Sequence, residues 1–186
     1  FLLTPADMTQ EKLQRQRLQS MVDSHCVGCP ITRKSVSSAA TRVFGWLFKF
    51  NVAGQACHAQ SAGEGEYYVL TVGAADNLQV RQLLNEFGVN VEGDLFSDTS
   101  AARAVANRQG LPERMRRIEV RYLHLQQLLK RKVSKLSTVK TDVNTADIGT
   151  KHLQNPQFNT HKISLWRMSP QEFENLNRQQ GFYVQV

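Results

Sequence analysis

Four acids, Asp23, Glu66, Asp98 and Asp147, each fall where a strand gives way to a turn or where a helix begins. A carboxylate near a helix start gains from free backbone N–H groups and from the positive end of the macrodipole. Four converging carboxylates repel one another unless a cation neutralises them, so the set implies a bound divalent metal. It also implies a fold that aims several strand ends and helix starts at one point. Such a site points to metal-dependent cleavage of a phosphodiester.

The segments between the acids specify an α/β chain. Leu18 to Asp23 is a short alternating strand, and Cys26 to Arg33, with Gly28 and Pro30, is a turn. The apolar, aromatic run Ala40 to Val52 reads as a second strand broken by Gly54, and Ala56 to Gln60 as a third, giving an antiparallel meander. Ser61-Ala62-Gly63-Glu64 fits a capping box in which Ser61 is the N-cap and Glu64 reaches back. That assignment leaves Glu66 as the free acid, and it predicts that Glu64→Gln is tolerated. The helix continues to about Gly88, at an expected cost from Gly63 and Gly65. Asp94 to Ser97 reads as a strand, Ser100 to Arg108 as a short helix, about 112 to 132 as a long one, and Leu136 to Thr141 as the last strand. Asn144 then caps a final helix with Asp147 at its third position. A meander followed by α/β crossovers predicts a five-stranded mixed sheet flanked by helices, antiparallel first and parallel after.

At 186 residues the chain accommodates one sizeable domain with appendages. We divide it into a polar N-terminal helix over 1–18, a core domain over 19–153 and a polar appendage over 154–186 that holds a short helix from Ser169 to Gln179. The opening Phe1, in place of Met, suggests a piece of a longer protein. No run of 18 apolar residues is present, so no membrane partner is expected. Three cysteines, an odd number, argue against a disulfide framework and for a reducing, intracellular compartment. The lone Cys26-x-x-Cys29 lacks the second pair of a structural zinc site. A formal charge of +7 points to a polyanionic partner. That charge concentrates in 103–135, where ten basic residues face only Glu113 and Glu119. Arg103, Arg116, Arg117, Arg121 and Lys130 are the candidate phosphate contacts.

Five blocks in order resemble the ribonuclease H domain of a copia-type LTR retrotransposon Pol polyprotein. They are Asp23 to Ser35 (Asp-Ser-His-Cys-Val-Gly-Cys-Pro-Ile-Thr-Arg-Lys-Ser), Ser61 to Tyr68 (Ser-Ala-Gly-Glu-Gly-Glu-Tyr-Tyr), Ser97 to Ala102 (Ser-Asp-Thr-Ser-Ala-Ala), Arg117 to Leu123 (Arg-Ile-Glu-Val-Arg-Tyr-Leu) and Asn144 to Leu153 (Asn-Thr-Ala-Asp-Ile-Gly-Thr-Lys-His-Leu). The resemblance covers roughly residues 19–153 and implies a ribonuclease H-like fold with Asp23, Glu66, Asp98 and Asp147 as its acidic tetrad. It further implies two Mg²⁺ ions, with Mn²⁺ as a substitute, acting on the RNA strand of an RNA/DNA hybrid. An upstream reverse transcriptase of the same polyprotein would be a partner, and the setting would be the virus-like particle of the element. In this scheme Asp23 bridges the metals, Glu66 and Asp98 flank one, Asp147 flanks the other, and Glu66 reaches the ribose 2′-OH that separates RNA from DNA. A second reading keeps the fold and the basic surface but not the cleavage, as a binding or structural module of a reverse transcriptase.

Overall fold

The computed structural model describes residues 17–26, 33–108 and 120–166. At its centre lies β1 (Leu18–His25), flanked by antiparallel β2 (Val36–Val43) on one side and parallel β4 (Gly93–Ser97) on the other. β3 (Trp46–Gly54) closes one edge and β5 (Ser134–Thr138) the other, giving the order β3-β2-β1-β4-β5. This five-stranded mixed sheet, antiparallel over β3-β2-β1 and parallel through β4 and β5, has helices packed on it and is consistent with a ribonuclease H-like α/β fold.

The meander is drawn differently from the sequence expectation. The run Ala40 to Val52 is split by a two-residue turn at Phe44-Gly45, where φ is 52° and 84°, and Val43 pairs with Trp46 across it. Two successive positive φ values suit the twist of a tight hairpin, but they are normally supplied by Asn-Gly or Asp-Gly. An aromatic at the first position hides the turn inside an apolar run. Gly54 therefore ends β3, and residues 55–61 lead into the helix as irregular chain where a third strand was expected. Trp46, Phe48, Phe50 and Val52 of this edge strand remain exposed.

Alternation along β1 sorts its side chains. Leu18 and Val22 face α1 (Ala62–Glu86), whose Tyr67, Leu70 and Ala74 recur at helical spacing and join Val22, Ala39 and Leu95 in the core. α2 (Ser100–Asn107) and α3 (Val120–Lys130) add Ala102, Val105, Leu125 and Leu128 to the same cluster. β5 starts two residues earlier than its pattern predicts and ends at Thr138. The helix expected at Asn144 is one 3₁₀ segment, Thr145–Gly149, preceded by another at Thr141–Val143.

The next element, α4 (Asn155–Trp166), rests against the Thr145–Gly149 segment and β3. His161 and Leu165 are buried, and an Arg42 Nη2 donates to the Ser164 carbonyl at 2.7 Å. The packed body therefore continues past 153, into a stretch read from its polar composition as an appendage. Two buried positions one turn apart in a polar dodecamer leave almost no periodic signal. The expected helices over 1–18 and 169–179, the segment 27–32 of the first turn and residues 112–119 of the long helix lie outside the described residues, save for positions 17 and 18 in the first. Among the described residues no helix is long and apolar enough to cross a membrane.

Candidate metal centre

The parallel pairing of β1 with β4 sets the site. Met21 lies opposite Phe96, and carrying that register two places further puts Asp23 level with Asp98, the first residue after β4. Asp147 reaches the same point from the opposite direction. Asn144 accepts from Ala146 N at 3.3 Å as a cap, and its Nδ2 donates to the Val22 carbonyl at 3.0 Å. One side chain thus starts the 3₁₀ turn and ties it to β1 beside Asp23. Each of Asp23, Asp98 and Asp147 offers an oxygen within 4.8 Å of the others, and this cluster can hold a metal ion. Among the described residues, Cys26 and Cys57 belong to no such cluster.

Glu66 approaches from α1. Ser61 caps the helix by accepting from Glu64 N at 3.2 Å, as the capping box requires. Glu64 reaches back one residue further than the motif predicts, accepting from Gln60 N at 3.1 Å, and its other oxygen accepts from the Tyr68 hydroxyl at 2.5 Å. Both Glu64 oxygens are committed to the helix. Glu66 Oε2, by contrast, is buried with no hydrogen-bond partner among the described residues. Burial first, then the charges of Asp23 and Asp98, push the Glu66 carboxyl up to about 8. Glu66 feels the charges of Asp23 and Asp98 but is not one of the three residues whose oxygens lie within 4.8 Å of one another.

Gln55 holds α1 in position. Its Nε2 donates to Ser24 Oγ, Ser37 Oγ and the Gly65 carbonyl at 3.2, 2.9 and 2.8 Å, joining the residue after Asp23 to the residue before Glu66. Gly65, a cost to the helix on propensity alone, permits this approach, since a Cβ there would sit 3.1 Å from Ser24 Oγ. Sequence reasoning missed Gln55 because nothing marks a buried amide in irregular chain.

Three further side chains complete the centre. Thr141 Oγ1 donates to Asp98 Oδ2 at 3.0 Å, and Thr150 Oγ1 donates to Asp23 Oδ2. Lys151 Nζ lies 2.8 Å from Asp147 Oδ2 and 3.3 Å from Asp23 Oδ1. Thr150 and Lys151 stand in the last motif block, but no periodicity assigns them a role. Asp147 is raised to about 6 by burial, opposed by the Lys151 hydrogen bond and reinforced by Asp23. Its Oδ1 has no hydrogen-bond partner among the described residues. Lys151 is itself raised: burial works against its charge, but Asp147 and Asp23 outweigh it.

These shifts carry a sign. The unfolded chain gives up the Glu66 and Asp147 protons near 4.5 and 3.8, whereas the fold holds them to about 8 and 6. Over that window the folded state binds more protons, so their contribution to stability falls as pH rises. In EDTA, the melting temperature of the wild type relative to Glu66→Gln is expected to drop between about pH 5 and 8. A pH-independent difference between the two melting curves would contradict the burial of Glu66 beside Asp23 and Asp98.

Of the basic candidates, the described Arg103 and Lys130 stand apart. Arg103 is near the acids: its Nε donates to the Thr99 carbonyl at 3.2 Å and its Nη1 to Thr138 Oγ1. Lys130 ends α3, just before β5 begins opposite the start of β4, so about a strand length, on the order of 15 Å, separates it from the acids. Arg121 falls in the first turn of α3. Arg116 and Arg117 lie outside the described residues. No protein-family model matches the chain.

Proposed function

We propose that this chain is a divalent-metal-dependent endonuclease of the ribonuclease H type, cutting the RNA strand of an RNA/DNA hybrid. One observation carries the reading: three aspartates from separate motif blocks, two at the ends of adjacent parallel strands and one in the Thr145–Gly149 turn, share a point, and the buried Glu66 feels the charge of two of them. The donors suit the ion. They are carboxylate oxygens, the set chosen by hard cations such as Mg²⁺ or Mn²⁺, and Glu66 Oε2 and Asp147 Oδ1 are buried without partners.

Asp23, Glu66, Asp98 and Asp147 would hold the metal. When bound, a pair of such ions supplies water activation and leaving-oxygen stabilisation for in-line displacement at phosphorus. The protein's own contribution is positional. Asp23, on the central strand, faces both Asp98 and Asp147, Thr141 and Thr150 orient carboxylates, and Glu66 stands beside the metal site to meet the ribose 2′-OH. The motif blocks further support a copia-type Pol polyprotein as the parent, with its reverse transcriptase as partner. Incubation of a labelled hybrid with Mg²⁺ is expected to cut the RNA strand, and EDTA to stop it. Binding without cleavage under both Mg²⁺ and Mn²⁺ would favour the module that keeps the fold alone.

The placement of the basic residues refines the expected interface. Replacing Arg116, Arg117 and Arg121 together is expected to weaken hybrid binding and to flatten its salt dependence. Each lost phosphate contact should lower the slope of log affinity against log salt by about 0.7–0.9. Lys130→Ala, at the far end of α3, should leave that slope unchanged. Equal slopes for the wild type and the triple variant would show that this face is merely solvated.

A further inference from the structure

We propose that Lys151 is a built-in counter-cation, holding the acidic cluster together in the metal-free chain and giving way to the divalent ion. Metal uptake is then an exchange of cations. The proposal rests on the reading of the cluster as a metal centre and adds a competitor for it. Lys151 Nζ is within salt-bridge distance of two of the three clustered aspartates, at 2.8 and 3.3 Å.

The surroundings let one partner move and not the others. The Asp23 and Asp147 side chains are each 3% exposed, whereas that of Lys151 is 34% exposed. Its backbone is anchored, with N donating to the Asp147 carbonyl at 2.9 Å. The flexible four-carbon stem can therefore carry the ammonium to solvent while the carboxylates stay in place. Asp147 Oδ1 and Glu66 Oε2 are buried with no hydrogen-bond partner among the described residues, so lone pairs in the cluster remain for a second cation.

Titration calorimetry of the full chain with Mn²⁺ tests the exchange. Lys151→Met is expected to bind Mn²⁺ about tenfold or more tightly, because a competing charge is gone. Its metal-free form should melt lower, and Mn²⁺ should raise its melting temperature further than in the wild type. Equal or weaker binding by a Lys151→Met variant with unchanged circular dichroism would overturn the exchange and leave the metal centre standing. If that variant does not fold without metal, the wild type carries the test. Reductive methylation of Lys151, followed by mass spectrometry, should accelerate severalfold on saturation with Mn²⁺, and an unchanged rate would overturn the proposal. Absence of Mn²⁺ binding by both proteins would remove the metal centre itself.

Discussion

Glu66→Gln is expected to abolish Mg²⁺-dependent cleavage while the domain remains folded. The substitution keeps the shape of a buried side chain but removes a charge that the site has gathered against Asp23 and Asp98 at the expense of raising its pKa to about 8. Loss of about a thousandfold in rate corresponds to several kcal/mol of transition-state stabilisation, which is the scale of a misplaced catalytic metal. In the metal-free state the variant should be the more stable protein above about pH 6, since the unfolded wild type gains from ionising Glu66 near 4.5 and an amide does not ionise. Glu64→Gln separates the two glutamates. An amide offers one accepting oxygen where Glu64 uses two, for Gln60 N and the Tyr68 hydroxyl. The sequence alone made this change appear free, but the Tyr68 contact raises its expected cost to about 1 kcal/mol of stability. Activity should persist. A cleavage assay in which Glu64→Gln is inactive and Glu66→Gln active would reverse the assignment.

Gly149→Ala is expected to damage fold and site together. A Cβ at this position would stand 2.5 Å from both Ser38 Oγ and Val52 Cγ2, and 2.8 Å from Ser38 Cβ. Those atoms belong to β2 and β3, so relief requires the Thr145–Gly149 segment to lift from the sheet. The lift would carry Asp147 away from Asp23 and strain the contacts of Thr150 and Lys151 with that residue. Overpacking of this kind typically costs about 1–3 kcal/mol. A lowered melting temperature should therefore accompany weaker Mn²⁺ binding. A variant that melts lower yet binds Mn²⁺ as the wild type does would show that the turn is not what positions Asp147.

The residues that were legible in the sequence share a property: their roles are local. Ser61 and Glu64 announce a helix start because capping involves residues three apart, and the structure has that cap. The period of the apolar residues placed α1 on the sheet. Asp23, Asp98 and Asp147 stood out because each lies in a short motif at an element boundary. Phe44-Gly45 was not legible, since positive φ at an aromatic depends on the pairing of Val43 with Trp46. Gln55 and the helix Asn155–Trp166 were missed for a related reason. Their partners, Ser24, Ser37 and Gly65 for the one and Arg42 for the other, are distant in sequence and carry no pattern.

By itself the sequence determined the alternation of helices and strands from α1 to β5, which acids stand at element boundaries, and which glutamate the helix cap consumes. These follow from periodicity and from hydrogen bonds spanning a few residues. The parallel pairing of the strand ending at Asp23 with the strand before Asp98 was already expected from the two acids, and the sheet has it. Only the tertiary structure decided that the 3₁₀ turn folds back until Asp147 meets Asp23, and that Lys151 enters the cluster between them. Convergence of charge is a property of through-space distance. The burial and the Coulomb energy that raise Glu66, and the attraction that draws Lys151 to Asp23, exist only once chain segments more than 30 residues apart have been packed together.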